Sequence, residues 1–180
     1  MKPPIILAAE QAARPLDVGG FKITVLASSA QTGGYELLRI EGPEGTGPGP
    51  HPHAGDESFF VLRGAVHCGV DASQVLATVG DPVHVPGGCT HWFRFAPGGG
   101  ESFSITSRGN ASRMFKAFDE GINWADPDRR ALVALAASHG QTVLAPPSPA
   151  APALVAPEPA APEPTSPASK PSGAGPTTAA

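Results

Sequence analysis

The chain has 180 residues and a hydrophobic fraction of 41%, enough for one domain with one core and an appendage. Its formal net charge of −4 and the absence of a basic patch exclude the footprint of a nucleic-acid-binding protein. No apolar run approaches the ~20 residues of a membrane span. Gly and Pro, 22 of each, are in excess, and half of the prolines (11) fall in residues 146–180. That segment is otherwise mostly Ala, Ser and Thr, with too little apolar bulk to offset the entropy of ordering, so a disordered Pro/Ala-rich tail is expected there. Residues 1–145 then carry about −3, with 11 basic and 14 acidic side chains.

Residues 1–20 read as an N-terminal arm. Its apolar run, Ile5 to Ala9, is too short for a secretory signal and is interrupted by Glu10, which points to a cytoplasmic protein. From Phe21 to Gly109 the chain breaks into short β-rich runs separated by turn residues: "FKITVLASS", "GGYELLRIEG", "ESFFVLRGAVHCGV", "VLATVG", "DPVHVPGG", "THWFRFAP" and "SFSITSRG". Many short strands at close spacing predict an all-β sandwich or barrel of antiparallel sheet. After Gly109 the pattern changes to helix. "NASRMFKAFDEGI" sets Met114, Phe115 and Phe118 at i, i+1, i+4 behind an N-cap at Asn110 or Ser112. "DPDRRALVALAASHG" offers Asp126 as N-cap, Pro127 at the first helical position, a buried stripe of Leu132, Leu135 and Ala136, and Gly140 as terminator. Residues 110–145 thus form a helical extension, packed outside the barrel or against a partner subunit. Cys68 and Cys89 lack any CxxC spacing and read as reduced structural thiols.

Chemistry is concentrated around "GTGPGPHPHAGDESFFVLRG", residues 45–64. His51 and His53 are two apart, so in an extended segment both imidazoles point to one side. Glu57 follows four residues later, and His91 arrives with the next turn, "GDPVHVPGGCTHWFRF". If the two hairpins lie side by side, His51, His53, Glu57 and His91 meet. Three imidazoles and one carboxylate suit iron, nickel, manganese, copper or zinc. His67, His84 and His139 stand alone and read as packed or solvent-tipped residues. Alternation from His91 directs Phe93 and Phe95 inward, and Phe59, Val61, Phe103 and Ile105 are expected beside them as an apolar substrate pocket.

These residues carry a family resemblance. Gly45 to Gly64 fits G-x5-H-x-H-x3-E-x6-G at every fixed position, and Gly80 to His91 fits G-x5-P-x-G-x2-H, departing where the pattern ends in Asn and this chain has Phe95. The chain resembles the cupin superfamily, and its C-terminal part resembles single-domain bacterial cupins described as quercetin-dioxygenase-like. The resemblance implies a jelly-roll β-barrel over residues 21–109 with one divalent metal in its mouth, bound by His51, His53, Glu57 and His91. It also implies cleavage of a small enolisable or hydroxy-carbonyl compound with O2, with Glu57 as ligand and proton acceptor. The alternatives are a non-redox isomerase or lyase, for which Tyr35 is the one tyrosine on offer as base, and a non-catalytic small-ligand-binding cupin. Cupin barrels pair through their edges, so a homodimer is expected.

Overall fold

The computed structural model describes residues 4–6, 8 and 11–144; the expected tail, residues 146–180, lies outside the described residues. Seven antiparallel strands form one curled sheet: β1 (Leu16–Val18), β2 (Phe21–Ala27), β3 (Tyr35–Gly42), β4 (Glu57–Val70), β5 (Ser73–Thr78), β6 (Pro82–Val85) and β7 (His91–Ser107). Three helices accompany them: α1 (Ser29–Thr32), α2 (Ala111–Gly121) and α3 (Arg129–Ser138). The strand order is β1-β2-β3-β7-β4-β5, with β6 pairing the first half of β4 while β5 pairs its second half. Phe21, Ile23, Leu38, Ile40, Val61, Val66, Phe93 and Phe95 fill the interior. They alternate with outward polar residues, as a half-buried antiparallel sheet requires. Among the described residues no helix is long and apolar enough to cross a membrane.

Besides the short α1, where a strand or turn was expected, three elements differ from the sequence expectations. The arm is not separate: Leu16, Asp17 and Val18 pair with Ile23, Lys22 and Phe21 across a two-glycine turn, adding β1 to the sheet. The two runs expected over residues 90–109 are one strand, β7, interrupted by Pro97-Gly98-Gly99. Against β4, Gly64 faces Gly100 and Val66 faces Phe95, so extra residues of β7 bulge out there. Gly98 and Gly99 take φ of +88° and +71°, which side chains other than glycine's rarely adopt. The third difference is the N-cap of α3, which is Asp128, not Asp126: its carboxylate accepts from the Arg130 N–H at 2.8 Å.

The helical extension is fastened to the barrel by a buried carboxylate. Glu36, fully buried on β3, accepts from the Ser112 N–H (2.7 Å) and hydroxyl (2.6 Å) at the start of α2, and from the Ser29 N–H (3.1 Å) at the start of α1. One side chain therefore satisfies orphan donors of two helices. Burial pushes its pKa up, but the hydrogen bonds from Ser112 and Ser29 outweigh that and leave it below the ordinary carboxylate value. Asp119 of α2 adds a second fastening by accepting from the Asp17 N–H of β1 at 2.8 Å.

A group whose folded pKa is depressed contributes stability above its unfolded value, near about 4.3 for Glu, and that contribution is lost as pH falls through the folded value. Glu36→Ala is expected to destabilise the fold at pH 7 by about 1–3 kcal/mol, because buried donors lose their acceptor. Urea denaturation at pH 7 and again near pH 3 checks this; the gap between variant and wild type should shrink at the lower pH.

Candidate metal centre

The ligand residues are placed by backbone pairing before their side chains come into play. His51 and His91 exchange both backbone hydrogen bonds, at 3.0 and 3.1 Å, as a cross-strand pair beside the start of β7. The loop that leads to His51 is held by Arg94, whose guanidinium donates to the carbonyls of Gly47 (2.6 Å), Phe93 (2.7 Å) and Pro48. Gly47 passes so close to β7 that a Cβ there would sit 2.3 Å from the Phe93 carbonyl oxygen. His53 is fixed through its carbonyl, which accepts from the Gly88 N–H at 2.8 Å, so the two motif loops are joined directly. Glu57 opens β4 opposite Val85 on one side and Thr106 on the other.

All three imidazoles are oriented in the same way. His51 Nδ1 lies 2.8 Å from the Gly49 carbonyl, His53 Nδ1 2.9 Å from that of Gly55, and His91 Nδ1 3.1 Å from that of Cys89. A carbonyl only accepts, so each Nδ1 holds a proton and donates it, which leaves Nε2 free as a ligand atom. The Nε2 atoms of His53 and His91 each lie 3.2 Å from Glu57 Oε2. One ligand atom from each of His51, His53, Glu57 and His91 falls within 4.8 Å of the others. That is a little wider than the ~4.2 Å that separates opposite donors on one ion with bonds of about 2.1 Å, so small side-chain shifts would gather them, and the donor set is that of a divalent transition metal.

The fourth ligand is backed by a residue the sequence reading did not find. Ser104, fully buried, donates its hydroxyl to Glu57 Oε1 at 2.5 Å, leaving Oε2 directed at the imidazoles. Burial of Glu57 opposes its charge, yet the adjacent His53 and His91 imidazoles and the hydrogen bond from Ser104 hold its pKa below the ordinary value. Burial lowers His51 to about 4, with the neighbouring His91 adding to the effect, whereas the adjacent Glu57 carboxylate raises His53 against the opposing effect of burial. These groups therefore present one negative charge and three nitrogen donors to a common point.

An apolar chamber of about 270 Å³ opens onto His51 and Glu57. Phe59 and Phe93 line it. Val61 and Phe95 are buried in the barrel interior instead. Phe103 and Ile105 are corrected: they lie on the outer face, Phe103 opposite Phe60 and Ile105 49% exposed, while Ser102, Ser104 and Thr106 point inward. The bulge at residues 96–99 reverses the parity of β7, so alternation counted from His91 fails beyond it. Much of the remaining wall comes from the helical extension, through Phe115 and Phe118 of α2, Trp124, and Leu132 of α3, facing Phe21, Ile23 and Ile40 of the barrel. Their apolar spacing was visible in the sequence; their position over the metal ligands was not.

The remaining candidates lie elsewhere. Tyr35 is half exposed at the start of β3 and does not line the chamber. His84 pairs with the Ser58 hydroxyl at 2.9 Å, and His139 lies 3.4 Å from the Asn110 amide. Cys68 is buried, and burial, aided by the charge of Glu57, pushes its thiol up to about 12. The Cys89 thiol is raised by its hydrogen bond to Asp71. Among the described residues both cysteines are free.

With the geometry in place, the comparisons with known proteins agree on the barrel. Residues 38–103 match the model of the cupin domain. The barrel has the cupin fold. Among solved structures, a RmlC-like cupin from Shewanella frigidimarina is 23% identical, with a TM-score of 0.55 over 63% of this chain and 99% of its own. KdgF from Halomonas sp. is 17% identical, with a TM-score of 0.51 over 56% of this chain and 93% of its own. A predicted oxalate decarboxylase from Thermotoga maritima is 16% identical, with a TM-score of 0.52 over 57% of this chain and 97% of its own. Identities at this level establish the cupin fold and nothing about substrate. No curated protein matches the chain.

Two substitutions test the centre. His51→Ala should abolish stoichiometric metal, as read by elemental analysis of protein purified without a metal-binding tag. Ser104→Ala should keep the fold but lower metal affinity about 10- to 100-fold, as read by competition with a chelator.

Proposed function

We propose that this cupin is a metal-dependent dioxygenase that cleaves a small enolisable or hydroxy-carbonyl compound, of flavonol or β-diketone type, with O2. The observation that carries this reading is the apolar chamber of about 270 Å³ that ends on His51 and Glu57. A divalent transition ion held by His51, His53, Glu57 and His91 would supply Lewis acidity and, where redox-active, electrons for O2. Four protein ligands leave open positions on an ion that prefers six, so a pair of substrate oxygens can approach from the chamber side.

The chain's own groups define the rest. Phe59, Phe93, Phe115 and Phe118 offer a dry aromatic surface to a flat substrate and exclude water from its reacting end. Glu57 is the one carboxylate on the chamber wall among the described residues. Its Oε1 stays anchored on Ser104 while Oε2 is the atom that can take the enol proton. Its low pKa makes it a weak base, so proton transfer would require the substrate to enter beside it and weaken its present hydrogen bonds. With Tyr35 outside the chamber, a Lewis-acid lyase would also have to rely on Glu57.

The test combines elemental analysis with oxygen uptake on a flavonol and on a β-diketone. Near-stoichiometric iron, nickel, manganese or copper with substrate-dependent oxygen consumption supports the proposal. Stoichiometric zinc without oxygen uptake overturns it in favour of non-redox chemistry. Glu57→Gln is expected to reduce turnover at least 100-fold; retention of both metal and turnover would remove Glu57 from the mechanism.

A further inference from the structure

The segment that follows α3 is tied down at both ends beside the metal centre. The Gln141 N–H donates to the Ala136 carbonyl at 3.0 Å, with Gly140 at φ +78° making the turn, and the Leu144 N–H donates to the Pro50 carbonyl, next to His51, at 2.9 Å. Between these ties burial alternates: Gln141 and Val143 are half-buried, Thr142 and Leu144 exposed. A period of two turns the side chains of 141 and 143 toward the protein, and Val143 packs against the core.

Gln141 stands where two cavities meet. It lines the apolar chamber that ends on His51 and Glu57, and it also lines a second cavity of about 180 Å³ on the His53 side, whose wall includes Ser107, Arg108, Asn110 and His139. Its side-chain amide makes no hydrogen bond among the described residues. Nor is that amide sealed off. Among the described residues the buried side-chain polar atoms without a partner are Thr106 Oγ1 and Trp124 Nε1, so Oε1 and Nε2 of the half-buried Gln141 keep accessible surface. An inward-facing amide is therefore unpaired and within reach of whatever fills the chamber.

We infer that the Gln141 amide is a specificity-determining contact that hydrogen-bonds a neutral hydroxyl of the substrate, at the end remote from the chelating oxygens. This rests on reading the chamber as the substrate site, and it narrows the substrate class to an enolisable aromatic ketone that carries a ring hydroxyl. The amide is uncharged, and with no protein partner to fix it, either its oxygen or its NH2 can turn to the ligand. A hydroxyl both donates and accepts, so it pairs with whichever atom is presented. A carboxylate could use only the NH2 and would give up the hydration of a full charge. The apolar walls hold the ring in every case. Gln141 discriminates among such rings, because a ligand that desolvates the amide without pairing it binds less well.

The experiment uses the full chain, 15N-labelled and loaded with diamagnetic zinc. The probes are 1-phenyl-1,3-butanedione and its 3- and 4-hydroxy ring derivatives, with binding followed by diketonate absorbance. Gln141→Met keeps the length and flexibility of the side chain, removes the amide, and identifies the Gln141 NH2 resonances by their loss. At least one hydroxy compound is expected to shift those resonances more than the parent does. Gln141→Met should weaken that compound about 5- to 10-fold, leave the parent within about twofold and keep zinc stoichiometric. Should that variant lose zinc, Gln141→Leu takes its place with the same expected discrimination. Equal affinities in wild type and variant, or an equal loss for all three compounds, overturns the role of the amide while the chamber reading stands. If no probe binds the zinc-loaded wild type, the chamber reading fails and this proposal fails with it.

Discussion

A carboxylate inside a barrel must be satisfied on both oxygens, and the way Glu57 is satisfied organises this protein. Its Oε1 is held by Ser104 and its Oε2 by His53 and His91, partners drawn from the two ends of β7 and from the loop before β4. Without these partners, burial would push the carboxyl towards its neutral form; with them, the charge is retained where a cation can meet it. The imidazoles do not depend on Glu57 for their orientation. Each is bound through Nδ1 to a carbonyl two residues away, so ring direction is a local property of the His-containing turns. The strand pairing of His51 with His91 then brings those turns together. Local orientation and long-range pairing are thus separate devices that converge on the same few ångströms.

Glu36 solves the same problem differently. It too is a buried carboxylate, but its donors are the first turns of α1 and α2, not imidazoles. The consequence is mechanical. Neutralising Glu36 with a helix start fixes where α2 leaves the barrel, and Asp119 then draws the other end of α2 onto β1. Phe115 and Phe118 are carried over the metal ligands as a result. A helix held only by its apolar stripe could slide or rotate; one held at both ends by carboxylates presents a fixed wall.

The metal centre was legible in the sequence because its signal is local: fixed offsets of His, Glu, Gly and Pro within two short stretches, each of which builds one turn. The helices were legible from their periodicity, with Asn110 and Gly140 at their expected ends. What failed was anything that required counting through an irregularity. Phe103 and Ile105 share the parity of Phe93, yet the glycine bulge at residues 96–99 puts them outside and brings Ser104 in, because a strand has a side-chain period of two and an unpaired residue inverts it. β1 was hidden for another reason: three residues are too few to show alternation, and only the partner β2 makes them a strand. The cap of α3 moved from Asp126 to Asp128 because both aspartates flank Pro127 and either satisfies the cap pattern.

The chamber draws a line between the residues that match the cupin-domain model and those that lie outside it. Every metal ligand, and Ser104 within one residue, falls in or against the matched span of residues 38–103. The chamber wall mostly does not: Phe21 and Ile23 precede that span, and Phe115, Phe118, Trp124 and Leu132 follow it. A metal centre demands a particular donor geometry and tolerates little change, whereas an apolar wall can be rebuilt from any elements brought over it. The helical extension therefore supplies much of the chamber wall from outside the matched span, and under the proposed function it is the part that would set substrate choice. Its anchoring through Glu36, remote from the metal ligands, fixes where that wall stands as firmly as the packing of the aromatic side chains themselves.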